Sequence, residues 1–237
     1  MSSPQPLLVG LSLAMCGGAA LAGQTIAVER SYRVAGFDKV AAAGPNFVVV
    51  HTGGGALVTA RGPGETLDRM EVVVEHGSLQ IRPRREFRNF DWRNLKPATF
   101  TVTLPHLAAA ALAGSGDMRV DRADGDRFAA SVAGSGTLDI AALRVGHANL
   151  STAGSGNLIA RGSAVWTDVS VAGSGDVRAR NVLSRNAAVS IAGSGDAELT
   201  VKDAVSVSIV GSGNAEIAGG ARCIVTHVGS GRARCGA

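Results

Sequence analysis

Val189-Ser190-Ile191-Ala192-Gly193-Ser194-Gly195-Asp196-Ala197-Glu198-Leu199 carries the pattern on which the fold turns. An apolar residue, a small hydroxyl and a second apolar residue lead into Gly-Ser-Gly. An acidic turn residue and an apolar–charged–apolar triplet follow it. Gly-Ser-Gly recurs at Gly114, Gly134, Gly154, Gly173, Gly193, Gly211 and Gly229, at spacings of 20, 20, 19, 20, 18 and 18 residues. Aligned on the tripeptide, the inward rows hold Val, Ile, Leu and Ala, as at Leu150, Val169, Val189 and Val207 before it and Leu138, Leu158 and Val177 after it. Strict alternation of this kind marks strands with one buried face. Nothing recurs at a helical period, and glycine interrupts too often for a helix in the repeats. A fixed period near 20 means stacked supersecondary units. The expected fold is all-β: a parallel β-solenoid, a right-handed β-helix, with two short strands per rung joined at the tripeptide and rungs of about 18–20 residues. A left-handed hexapeptide helix would need a six-residue repeat that is absent.

The corners explain the glycines. The pairs Gly114/Gly116, Gly134/Gly136, Gly154/Gly156, Gly173/Gly175, Gly193/Gly195 and Gly211/Gly213 stand where a sharp bend needs positive φ or an approach too close for a Cβ. Asp117, Asn157, Asp176, Asp196 and Asn214 follow them, and Asx side chains bond nearby backbone in turns. A calcium ladder is the competing reading of that row. It has one Asx per rung and is broken by Thr137 and Arg232, too few oxygens for a six- to eight-coordinate ion. No metal and no cofactor are expected.

Before the repeats, Phe47–His51, Ala56–Ala60, Met70–Val74, Ser78–Ile81 and Thr99–Leu104 are strand-like, punctuated by Gly53-Gly54-Gly55, Gly62-Pro63-Gly64 and His76-Gly77 as turns. The chain thus divides into a leader (1–22) and one solenoid domain (23–237), irregular over 23–110 and regular over 111–237. The leader reading rests on the apolar run Leu7–Met15 ahead of Ala20-Leu21-Ala22, a secretory signal with cleavage after Ala22. That run is too short to span a bilayer. Export to the periplasm or surface of a Gram-negative bacterium leaves two cysteines, Cys223 and Cys235, which an oxidising compartment would join.

Of 237 residues, 32 are Gly, and 20 of the 23 bases are Arg; the net charge is only +4, too small by itself to point to nucleic acid. The basic residues concentrate in one segment. Arg84, Arg85, Phe87, Arg88, Phe90, Trp92, Arg93 and Lys96 lie between Pro83 and Pro97, a basic and aromatic loop suited to an acidic glycan, lipopolysaccharide phosphates or an acidic envelope protein. The bland alternative is a loop whose aromatics cap the open end of the core. A flat hydroxyl face from Ser131 to Ser208 is a second contact surface, and terminal rungs could pair with another copy. Outward charges alternate in sign (Arg119, Asp139, Arg178, Glu198, Glu216), offering cross-strand pairing rather than a converging acid pair. The five histidines show no metal-binding spacing. An enzyme is therefore not expected.

Tyr32-Arg33-Val34-Ala35-Gly36-Phe37-Asp38-Lys39-Val40, Gly77-Ser78-Leu79-Gln80-Ile81 and Leu104-Pro105-His106-Leu107, leading into repeated Ala-Gly-Ser-Gly-Asp, resemble the GIN-domain family of auto-transporter adhesin heads over about residues 28–235. The resemblance implies an exported, β-helical, non-catalytic domain and brings no catalytic residues. The expected role is adhesin-like binding or surface presentation in the envelope. A carbohydrate-active β-helix enzyme on an acidic polysaccharide and a purely structural envelope protein are the alternatives.

Overall fold

The computed structural model describes residues 27–87 and 96–236. The elements are β1 (Ala27–Tyr32), β2 (Lys39–Ala43), β3 (Phe47–Thr52), β4 (Leu57–Pro63), α1 (Gly64–Arg69), β5 (Met70–Glu75), β6 (Ser78–Pro83), β7 (Thr99–Leu104), β8 (Ala109–Gly114), β9 (Asp117–Val120), β10 (Ala123–Gly134), β11 (Thr137–Gly154), β12 (Asn157–Gly173), β13 (Val177–Gly193), β14 (Ala197–Gly211), β15 (Asn214–Ala218), β16 (Arg222–Gly229) and β17 (Arg232–Cys235). They form a parallel β-solenoid of about six turns. The leader, residues 1–22, lies outside the described residues, as do Arg88, Phe90, Trp92 and Arg93.

Register follows the repeat. Gly134, Gly154, Gly173, Gly193, Gly211 and Gly229 each stack on the equivalent glycine of the preceding rung. The inward rows are buried through Ile217, from Ala110 and Leu112 to Val207 and Ile209, and with the N-terminal strands they form one apolar cluster from Phe37 onward. Each rung adds a layer to this core at a step of about 4.8 Å.

The corner bonding shows what the tripeptide does. The carbonyl of Gly173 accepts both Ser194 N–H (2.8 Å) and Gly195 N–H (3.1 Å) of the next rung, and Gly193 accepts Ser212 and Gly213 likewise at 2.8 and 3.1 Å. The Asx row extends this ladder. Asp117 Oδ1 accepts Thr137 N–H (2.9 Å), Asp176 Oδ1 accepts Asp196 N–H (3.1 Å) and Asp196 Oδ1 accepts Asn214 N–H (2.8 Å). These side chains bond the next rung's backbone, not their own as the turn reading implied. Each acts as a tie between rungs.

The two glycines of each corner differ in kind, one needed for its positive φ and the other for a close approach. The first, as at Gly114, Gly134 and Gly154, has positive φ and ends a strand. The second, at Gly116, Gly136 and Gly156 and again at Gly175, Gly195 and Gly213, lacks positive φ and is buried. A Cβ at Gly116 would be driven into the Asn46 carbonyl oxygen, and one at Gly136 into that of Gly116. At Gly156 it would lie 2.6 Å from the Gly136 carbonyl oxygen and 2.6 Å from Val132 Cγ1. The second glycine is thus required by the close approach of the preceding layer of backbone, not by turn conformation.

Three further sequence expectations need correction. Each regular rung has a third stretch between the two strands legible in the repeat, exemplified by Leu143–Val145 and Val182–Ser184. The length variation is absorbed there: pairing slips between Ile140 and Leu143, between Ile159 and Arg161, and around Ala179–Asn186. Gly62 is not a turn; it lies within β4, where a Cβ would sit 2.7 Å from Ala98 Cβ and 2.8 Å from Ala98 Cα. Gly64 opens α1, whose Thr66 and Leu67 are buried at the N-terminal end and whose Thr66 hydroxyl donates to the Lys96 carbonyl at 2.9 Å. Antiparallel pairing is confined to that end: β1–β4, β4–β7 and β5–β6.

Thr152 occupies an inward position filled by Val132 and Val171 in adjacent rungs, and its buried hydroxyl has no partner among the described residues. An unsatisfied buried hydroxyl costs about 1 kcal/mol or more. Thr152→Val is therefore expected to raise the melting temperature by about 2–4 °C. Thermal unfolding followed by circular dichroism checks this; a fall would show that the hydroxyl is satisfied.

Candidate functional site

The described part of the basic–aromatic loop is tied to the N-terminal cap. Arg84 Nε donates to the Met70 carbonyl at 3.3 Å, and the Arg69 guanidinium lies 5.4 Å from the Phe87 ring centre. Arg85 and Lys96 are exposed.

A better-formed surface lies on the long side of β11–β14. The register places His147, Trp166, Asn186, Ala204 and Arg222 in one row and Asn149, Asp168, Ala188, Ser206 and Ile224 in the next. Beside them runs the outward hydroxyl row Ser151, Ser170, Ser190, Ser208 and Thr226. Trp166 is 39% exposed. Its Nε1–H donates to Asp168 Oδ1 at 2.8 Å, while Asp168 Oδ2 lies 2.7 Å from His147 Nε2. One carboxylate thus anchors both the indole and the imidazole on a rigid sheet.

Two adjoining depressions of about 400 Å³ each open on this side. One runs from Trp166 past Asn186 and Ala204 to Ile224; the other lies over Asn149, Ser170, Ser190 and Ser208. They share Ala188 and Ser206. Because the residues at their floor are small, the surface between rungs stays open. Across the edge marked by the exposed neighbours Val165 and Trp166, a third groove of about 500 Å³ is basic, with Arg144, Arg185 and Lys202 beside Val165 and Leu183.

Elsewhere several charges pair across rungs. Arg161 reaches Asp139 at 2.6 Å, Arg178 reaches Asp176 at 3.1 Å, and Arg180 bridges Glu198 at 3.4 Å and Glu216 at 2.7 Å. Asp139, Glu198 and Glu216 of the alternating row are thus met by arginines two residues beyond it, at 161 and 180, and Arg178 by the turn residue Asp176. Arg180 holds the Glu216 carboxyl below the usual carboxylate range, and Arg82 does the same for Glu75. A second His–Asp pair joins His51 Nδ1 to Asp121 Oδ2 at 3.2 Å. Among the described residues neither imidazole meets a serine or cysteine within hydrogen-bond distance, and no cluster of three His, Cys, Asp or Glu is suited to a metal.

At the C-terminal end the last rung is exposed on both faces, at Val225 on the inward row and at Ile224 and Val228 on the outward ones. Val225 is 40%, Val228 66% and Ile224 72% accessible, and β16 and β17 pair only with β14 and β15. Cys223 and Cys235 form a disulfide across this rung, with Cα atoms 6.5 Å apart. No helix among the described residues is long and apolar enough to cross a membrane.

The fold has solved counterparts. A crystal structure of a "putative adhesin" from Bacteroides fragilis superposes with a TM-score of 0.80 at 21% identity, covering 89% of this chain and 97% of that one. A "putative lipid binding protein" from Parabacteroides distasonis gives 0.69 at 19% identity, over 88% and 96%. A "putative adhesin" from the same organism gives 0.66 at 18%, over 89% and 97%. No curated protein matches the sequence. Residues 36–221 match the family described as "Putative auto-transporter adhesin, head GIN domain". With the tripeptide ladder, the solenoid and most of the chain inside that match, the protein belongs to the GIN-domain family.

Proposed function

We propose that the protein is an exported, non-catalytic, adhesin-like module of the bacterial envelope that holds its partner on the long side of β11–β14. The observation that carries this reading is the pair of adjoining depressions beside an exposed, carboxylate-anchored Trp166. A concave surface with an aromatic anchor and a few fixed polar groups is the usual form of a binding site. The family and the proteins of the same fold described as "putative adhesin" support a binding role, and the disulfide supports export.

The test coats beads with the mature chain, residues 23–237, and measures retention on isolated envelope fragments. Ser190→Gln with Ser208→Gln fills the depression without adding charge and is expected to reduce retention severalfold. Glu at Arg84, Arg85, Arg88 and Arg93 is expected to leave it unchanged. The reverse pattern would return the site to the basic loop. No retention by any form would favour a structural envelope protein.

A further inference from the structure

Resting on that reading, we propose that the partner is a neutral polysaccharide, lying along the stack with one pyranose ring against Trp166. The indole stands at one end of the first depression, and its ring is exposed while its N–H is already committed to Asp168. What remains for a ligand is the flat π-face, which suits the apolar C–H face of a sugar ring. An exposed tryptophan fixed in this way loses little freedom on binding.

The polar groups around it point to hydroxyls as the complement. Asn149, Asn186, Ser170, Ser190, Ser206 and Ser208 carry amides and hydroxyls, which both give and accept hydrogen bonds as sugar hydroxyls do. The one carboxylate lining the depressions, Asp168, has its oxygens engaged by Trp166 and His147. It would nevertheless repel an anionic ligand, and among the residues lining the two depressions the one arginine, Arg222, stands at the far end. An acidic glycan therefore fits this surface less well than a neutral one, contrary to the expectation from the basic loop.

Geometry supports a chain rather than a single sugar. Each depression crosses four successive rungs: β12, β13, β14 and β16 in one, and β11 to β14 in the other. Three steps of about 4.8 Å give a track of roughly 14 Å, the length of a short oligosaccharide. Repetition of Ala and Ser in register then offers similar contacts to successive rings.

The experiment is affinity electrophoresis of the mature chain through gels holding a soluble β-glucan, a mannan, a galactan or polygalacturonate. Retardation by at least one neutral polysaccharide is expected, at least tenfold weaker for Trp166→Ala. A Trp92→Phe variant should bind normally and make Trp166 the sole tryptophan, whose fluorescence then shifts on titration with the same polysaccharide. Because the indole is exposed, circular dichroism should show Trp166→Ala folded. Retardation only by polygalacturonate, equal retardation of Trp166→Ala, or none in any neutral gel would overturn the proposal. If the beads are still retained on envelope fragments in that last case, the adhesin-like reading survives with a different partner.

Discussion

Gly195→Ala is expected to lower the melting temperature by about 6–12 °C, while Ser194→Ala changes it by no more than about 2 °C. The two residues are neighbours in one corner, so the contrast isolates the space each requires. Ser194 points outward and is exposed. Gly195 is buried, and a Cβ there would be driven into the carbonyl oxygen of Gly175 and to 2.8 Å from Val171 Cγ1. Backbone from the adjacent rung cannot move aside without breaking the Gly173 carbonyl's bonds to Ser194 and Gly195. Overpacking and local strain together make about 3 kcal/mol. Gly193, at φ +131°, is constrained by conformation as well as by space. Equal effects of the two substitutions, measured by calorimetry, would mean that the corner tolerates a shift in rung spacing.

Replacing Cys223 and Cys235 by serine is expected to cost about 3 kcal/mol, the usual effect of opening a loop of roughly this length. The cost should be local. In a solenoid each rung is held by its neighbours, and the last has a neighbour on one side only. Its apolar residues Ile224 and Val228 are exposed, so little burial resists fraying. Hydrogen exchange should show lost protection at residues 222–235, with residues 137–193 unchanged. Uniform loss along the chain would show that the rung supports the whole stack; no loss would show that its ladder bonds suffice.

The repeat made the regular half legible because every rung uses the same means of burial. Val169, Val189 and Val207 occupy one inward position, and Gly173, Gly193 and Gly211 one corner, so alignment gave the stacking register. The third stretch stayed hidden because it carries the length changes: a residue omitted near Ala160 shifts the alternation to the other face. Gly64–Arg69 is too short to display a helical period, and its place is set by burial of Thr66 and Leu67 at the cap.

The candidate site was less legible for a related reason. His147 and Asp168 are separated by 21 positions, and only the register of β11 on β12 brings them together. The hydroxyl row could be read directly, but Trp166 belongs to no motif and falls just past the variable stretch. Extending the alignment through that stretch would have placed His147, Trp166 and Asn186 in one outward column. Two tryptophans occur in the chain. Trp92 sits among basic residues that mark a loop in the sequence, whereas Trp166 stands singly on an outward column.

Where the partner sits is tested most directly by hydrogen exchange of the mature chain with and without envelope polysaccharide. The expected result is added protection confined to the strands around Trp166, Asn186, Ser190 and Ser206. Protection gained instead over residues 84–96, or at the terminal rung, would contradict a binding face on the long side of the solenoid.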